Sequence, residues 1–269
     1  MAGDHAREVP KVSDAVKNLG FAATAKIDGD WSVERVLDQV SDGPSLATGS
    51  TSPLPFFHLL ERLKTTQREG WRRFGISSCE SISDHMYRMS ILTFMTPPAL
   101  AARIDVNRCI KMCLIHDMAE SLVGDITPVD GVAKPEKNRR EAATMDFISS
   151  GLLGNVYGGV PGRELREIWQ EYEDSQTPES LYVHDIDKME LLLQMYEYEK
   201  RGNHEIDLGE FAYVATRITL PEVKEWADEL LKEREAFWSE REHVQGNKGV
   251  DGGVEDDVRQ QQNEYYENE

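Results

Sequence analysis

A histidine followed directly by an aspartate, His116-Asp117, sits inside the largely apolar helical run Ile110-Lys-Met-Cys-Leu-Ile-His-Asp-Met-Ala-Glu120. No other feature constrains the fold as strongly. An imidazole and a carboxylate are costly to bury unless each has a partner. Other helices must bring those partners, so the chain has to pack around a polar centre. A divalent metal is one partner that satisfies both groups; a His–Asp pair that staples neighbouring helices is the plainer alternative. Glu120 follows one turn after His116, on the same side of the expected helix. Asp125 comes after Gly124 and before Pro128, which mark the end of that helix.

Helical spacing recurs along the rest of the chain, with no alternating strand pattern and no internal repeat. Weak helices are expected over Ser13–Ile27 and Trp31–Val40, followed by a Ser/Thr/Gly/Pro-rich linker up to Pro53. From Leu54, the residues Phe56, Phe57, Leu59, Leu60 and Leu63 give an apolar face, and Gly70 and Gly75 bracket a turn around Trp71. A helix opens near Ser83-Asp84-His85, with Ser83 or Asp84 as its cap, and Pro97-Pro98 stops it. The spacing predicts one continuous helix from Asp105, its cap, to Val123. Further helices begin at Pro135, after the Gly-rich 154–162 turn, at Pro178 and at Phe211. The last, Pro221–His243, is amphipathic through Val223, Trp226, Leu230, Phe237 and Trp238. The expected architecture is all-α: a bundle of roughly seven to nine helices over residues 54–245. Residues 1–53 form a largely disordered extension and 246–269 an acidic disordered tail.

Hydrophobic residues make up 39% of the 269 and charged residues 29%, which fits a globular core with polar ends. The formal net charge of −19 argues against nucleic acid and anionic membranes as partners. A small phosphate ester is not excluded, because it needs only a local metal or arginine. No run approaches the ~20 apolar residues of a membrane span. The start has early acids and no apolar stretch, unlike a secretory signal. Cys79, Cys109 and Cys113 lack framework spacing and read as reduced thiols. The expected location is cytoplasmic or nuclear.

His116-Asp117 supplies two ligands at most, so a metal needs others. His85 lies near the start of the preceding helix. On the long helix after Pro178, Asp187, Glu190, Leu191 and Gln194 share one side, which makes Asp187 part of a polar stripe. A mixed nitrogen–oxygen set suits Mn, Fe(II), Co or Zn. On the residues alone, each member also has a bland reading: a boundary histidine, helix-end charges at Glu120 and Asp125, and a core anchor at Trp71.

The order His…His-Asp…Asp on an all-helical chain resembles the HD-domain phosphohydrolase superfamily. Five strings sharpen this: Arg62-Leu-Lys-Thr-Thr-Gln-Arg68-Glu-Gly70-Trp71, Ser83-Asp-His85-Met-Tyr-Arg-Met, His116-Asp-Met-Ala-Glu120, Gly124-Asp125-Ile-Thr-Pro and Asp187-Lys-Met-Glu. Together they are similar to the HD-domain-containing protein 2 group, related to the bacterial 5′-deoxynucleotidases, over roughly Leu54–Arg201. The resemblance implies metal-dependent hydrolysis of deoxyribonucleoside 5′-monophosphates. It matches His85, His116, Asp117 and Asp187 to the metal ligands, and the Asp-Lys-Met-Glu string favours Asp187 over Asp185. Glu120 matches the acid beside the attacking water, and Asp125 a residue that contacts the sugar and shares the proton work. Arg68 and Trp71 match a substrate-pocket pair that is adjacent in the bacterial enzymes and here split by Glu69-Gly70. His184 reads as a surface or supporting residue. No histidine other than His184 separates His116-Asp117 from Asp187, which favours one divalent ion per chain (Mn, Co, Fe, Zn or Mg). The resemblance also implies a homodimer, for which Pro221–His243 offers a face. A cyclic-nucleotide or guanosine tetraphosphate hydrolase, or a non-catalytic nucleotide-binding scaffold, are the competing functions.

Overall fold

The computed structural model describes residues 29–40, 46–127 and 130–240. No strand occurs among them; one isolated antiparallel bridge joins Gln67 and Ser81. The main helices are α1 (Val33–Gln39), α2 (Leu54–Thr65), α3 (Ile82–Leu92), α4 (Val106–Cys113), α5 (Lys134–Asp146), α6 (Val160–Asp174), α7 (Pro178–Arg201) and α8 (Pro221–Ser239). The all-α bundle expected from the spacing is therefore the architecture found. No helix among the described residues is long and apolar enough to cross a membrane.

The longest helix, α7, runs through the middle and packs against α3, α4, α6 and α8. Its start is fixed by Thr177, whose hydroxyl accepts from Ser180 N–H while the Ser180 hydroxyl accepts from Thr177 N–H. Pro178 occupies the first turn, where its missing N–H is harmless. Besides apolar residues, α7 buries Asp185, Glu190, Gln194 and Glu199, and each buried polar group needs a partner. Asp185 accepts from the backbone N–H groups of Thr219 and Leu220 and so anchors the start of α8. Glu199 accepts from Arg234 and from Trp238 Nε1, which tie α8 along α7. The face of α8 through Val223, Ala227, Leu230 and Trp238 is buried within the chain. Its amphipathic pattern reflects this intrachain packing.

Three expectations from the sequence need correction. Helix α3 is capped by Ser81, with Asp84 as its reciprocal partner in the third helical position, so the cap lies two or three residues earlier than the spacing suggests. The predicted helix Asp105–Val123 keeps its Asp105 cap but is not continuous. α4 ends at Cys113, and Leu114–Ala119 are turns whose bonds mostly span three residues, as in Met118 N–H to Ile115 O and Glu120 N–H to Asp117 O. One α-turn, Glu120–Val123, follows and stops at Gly124, whose φ of 79° suits glycine. Tightened turns and not a continuous α-helix carry His116, Asp117 and Glu120, and all three line the same cavity. Third, a domain boundary at Leu54 cuts through packed structure. Trp31, Val33 and Val36 are buried, α1 packs on α5, and Arg139 Nη2 donates to Trp31 O at 3.0 Å. The helix expected over Ser13–Ile27, and the tail from 246 onward, lie outside the described residues.

Candidate metal centre

Three helical segments converge on one buried point. The Ser81–Asp84 capping box sets the start of α3, so His85 enters on its first full turn; the side chain is fully buried. His116 and Asp117 arrive from the tightened turns after α4, and Asp187 comes from the middle of α7. One donor atom from each of His85, His116 and Asp187 lies within 4.8 Å of the others. His85 Nε2 is 3.1 Å from Asp187 Oδ1. Asp117 Oδ2 is 3.3 Å from His116 Nε2 and 3.8 Å from His85 Nε2. All four residues singled out as ligands are thus brought together. Asp185 is not with them: it accepts from Thr219 and Leu220 at the start of α8.

The nitrogens themselves test whether a metal fits. His85 Nε2 and His116 Nε2 are both buried and have no hydrogen-bond partner. Close approach to the carboxylates without hydrogen-bond alignment leaves their lone-pair directions unmatched, an arrangement that buried polar atoms rarely tolerate. The opposite nitrogens are fixed: His85 Nδ1 is 2.5 Å from Glu190 Oε2, and His116 Nδ1 is 3.0 Å from Cys113 O. Two imidazoles held from behind, with two carboxylates in front, form a donor set that suits a divalent ion.

The charges are tightly interdependent. Burial opposes ionisation of Asp117, but His116, Arg68 and His85 hold its carboxyl well below the usual range. Asp187 is likewise held low against burial by His85, His116 and Arg68. For His85, burial and Arg68 disfavour the cation; Glu190 and Asp187 outweigh them and push its pKa up to about 10. Glu120 behaves differently. Burial, with Asp117 and Asp125 as like-charged neighbours, raises its carboxyl well above the ordinary range, and Lys137 and Arg68 only partly offset this. Glu120 Oε2 is buried without a partner. A nearby cation would shift the balance back toward the carboxylate.

The centre lies in a cavity of about 360 Å³ whose lining includes Arg68, Trp71, Glu120, Asp125, Tyr172 and Leu191. Arg68 is the residue before the short turn Glu69–Arg72, and its Nη1 lies 3.1 Å from Asp117 Oδ2. Asp125 accepts from Glu69 N–H at 2.6 Å and so pins that turn to the loop after Gly124. The same turn sends Trp71 inward. Trp71 is 2% exposed, donates Nε1 to Glu80 Oε1 at 2.8 Å and packs on Tyr198 and Phe211. It is a core residue with one edge on the cavity. Arg73 pairs with Glu210 and lines the same cavity.

Several neighbours escape a reading of the sequence alone. Tyr172 sits between the rings of His116 and His184 and donates its hydroxyl toward Asp187 Oδ2 at 3.4 Å. His184 faces Ser175 and the Tyr172 carbonyl, and burial followed by Lys188 lowers its pKa to about 4. Lys137 and Glu141 also line the cavity. Glu190 was visible on the Asp187 face of α7, but nothing in the sequence pairs it with His85.

Residues 60–226 match the HD domain family. The chain belongs to that family. The 5′-deoxynucleotidase hdd1 of Schizosaccharomyces pombe is 46% identical over 194 residues, covering 72% of this chain and 96% of the relative. The 5′-deoxynucleotidase YGK1 of Saccharomyces cerevisiae is 43% identical over 185 residues, covering 69% and 84%. The solved structure of the HD domain-containing protein YGK1 superposes with a TM-score of 0.57 at 32% identity, covering 78% of this chain and all of that one. The matched region of this HD-domain chain contains every residue of the buried centre.

Proposed function

We propose that this HD-domain chain is a metal-dependent 5′-deoxynucleotidase, which hydrolyses deoxyribonucleoside 5′-monophosphates to deoxynucleoside and phosphate. The observation that carries the reading is the pair of unpartnered imidazole nitrogens facing two ionised carboxylates in a nucleotide-sized cavity. Relatives named 5′-deoxynucleotidase, of which the chain covers most of the length, supply the substrate class.

His85, His116, Asp117 and Asp187 would hold a divalent ion of the Mn, Co, Fe, Zn or Mg type. When bound, such an ion supplies Lewis acidity, neutralising phosphoryl charge and making water a better nucleophile. The protein's own groups do the rest. Arg68 binds phosphate oxygens through its planar guanidinium. Glu120, once ionised, orients the attacking water and accepts its proton. Water adds to phosphorus, the ester bond to the sugar breaks, and the 5′-oxygen leaves with a proton. Asp125, on the loop beside Arg68, accepts a hydrogen bond from the 3′-hydroxyl and shares in proton transfer. The cavity edge of Trp71 crowds the 2′ position and disfavours a ribose. The expected homodimer belongs to the same reading, with a surface other than the α8 face buried in the chain.

The test is phosphate release from matched deoxy- and ribonucleoside 5′-monophosphates, on metal-stripped protein and after addition of Mn(II) or Co(II). Turnover should require metal and favour the deoxy series. Equal rates on both sugars would remove the sugar assignment, and no phosphate release from any monophosphate would leave a binding scaffold.

A further inference from the structure

His85 is held by a carboxylate that is itself held by an arginine. Its Nδ1 lies 2.5 Å from Glu190 Oε2, and both side chains are fully buried. The other oxygen, Glu190 Oε1, accepts from Arg88 Nε at 2.7 Å. Arg88 sits one turn after His85 on α3, so both project toward α7. Its remaining nitrogens reach Gln194 Oε1 at 2.9 Å and Glu197 Oε2 at 2.7 Å. Glu190, Gln194 and Glu197 occupy successive turns of α7. One guanidinium thus fastens three turns of that helix to the helix carrying His85. Asp187 is three residues before Glu190, so α7 supplies both a donor to the centre and the support for a donor on α3.

We propose that Glu190, clamped by Arg88, is a positioning residue of the metal centre: it fixes the His85 ring with Nε2 aimed at the site. An ionised carboxylate only accepts hydrogen bonds. Against Glu190, therefore, Nδ1 keeps its proton, and Nε2 is the nitrogen that gives up its proton and presents a lone pair when a metal binds. Carboxylates behind metal-binding histidines commonly set ring orientation and basicity in this way, and their loss costs about 10–100-fold in metal affinity. A second feature makes Glu190 hard to replace: it must accept from His85 on one oxygen and from Arg88 on the other. An amide can accept on one side only, because its NH₂ then opposes a donor on the other.

The inference rests on the metal-dependent reading above, and the test separates the two. Mn(II) dissociation constants are measured by electron paramagnetic resonance on the full chain, together with melting of the metal-free protein and the absorption spectrum of the Co(II)-loaded protein. The unaltered protein must bind Mn(II); if it does not, the metal reading itself fails. Glu190→Gln should weaken Mn(II) by about 10–100-fold and change the Co(II) spectrum, with the metal-free melting curve little altered. Arg88→Met keeps the acceptor for His85 but releases Glu190 to rotate, so affinity should fall by a smaller factor, about three- to tenfold. It also serves if Glu190→Gln does not fold. Unchanged Mn(II) affinity in whichever of the two variants folds would overturn the proposal. So would a loss of affinity that only tracks a lower melting temperature, with the Co(II) spectrum unchanged.

Discussion

Asp185 and Asp187 lie two residues apart on α7, and the proposed metal centre gives them different tasks, which Asp185→Ala should reveal. Asp185 is 1% exposed and accepts from Leu220 N–H at 2.7 Å, Thr219 N–H at 3.0 Å and the Thr219 hydroxyl at 3.1 Å. Removing it leaves the chain entering α8 without acceptors and deletes a negative charge beside the positive end of that helix. Hydrogen bonds to a charged group contribute about 1.5–3 kcal/mol each, and loss of a helix-start acceptor about 0.5–2 kcal/mol. Two facts reduce the sum. Thr219 is exposed, so water can replace part of the loss, and burial raises the pKa of Asp185, so its charge is itself costly. A net loss of about 2–3 kcal/mol is expected, or roughly 4–12 °C in melting temperature for a domain of this size. Calorimetry on metal-free protein measures the loss, and Mn(II) binding on the same sample should be nearly unchanged. Asp187→Ala should instead eliminate Mn(II) binding. Loss of metal by Asp185→Ala with an unaltered melting temperature would refute the assignment of both residues.

Glu120→Ala should retain Mn(II) and lower phosphate release by about 10²–10⁴-fold; near-normal turnover at full metal content would shift the proton role to Asp125. Trp71→Ala should raise ribonucleotide turnover relative to deoxy, and because the indole is buried it should also cost about 3–5 kcal/mol in unfolding experiments. The milder Trp71→Phe is therefore the cleaner probe of sugar selectivity. Trp31→Ala should destabilise the chain by about 3 kcal/mol, and a chain beginning at Leu54 should melt lower than the full one; equal melting would show that α1 is dispensable. The buried Tyr182 hydroxyl, bonded to Thr96, has its pKa pushed up to about 12, so the folded state keeps a proton that the unfolded state loses near pH 10. Stability is therefore lost as pH rises from about 10 to 12, by up to about 3 kcal/mol, and Tyr182→Phe should flatten that alkaline limb in denaturant titrations.

Local and short-range features were legible from the chain itself. Periodicity identified the helices, Pro178 marked the start of α7, and Asp105 capped α4. The His-Asp pair in an apolar run showed that partners were needed, and the family resemblance supplied His85 and Asp187 as the other two candidate ligands. What escaped depends on contacts between distant segments. No local signal pairs Glu190 with His85, 105 positions away, or Asp185 with the start of α8. The break after Cys113 was hidden because Leu114–Ala119 retains apolar spacing while its bonds tighten from four residues to three. The helix expected over Trp31–Val40 is present as α1, but its packing was hidden, because its burial comes from Trp31 and two valines meeting α5. Trp71 looked equally suited to core and pocket, and its placement combines both: ring buried, one edge on the cavity.

The most direct test of the proposed chemistry is a single titration. Mn(II) is added to metal-stripped protein, and bound Mn(II) and phosphate release from deoxyadenosine 5′-monophosphate are recorded on the same samples. The two curves should rise together for the unaltered chain, and both should stay flat for Asp187→Ala. Full-rate phosphate release from stripped protein, or full occupancy by Mn(II) with no release, would contradict a metal-dependent deoxynucleotidase centred on His85, His116, Asp117 and Asp187.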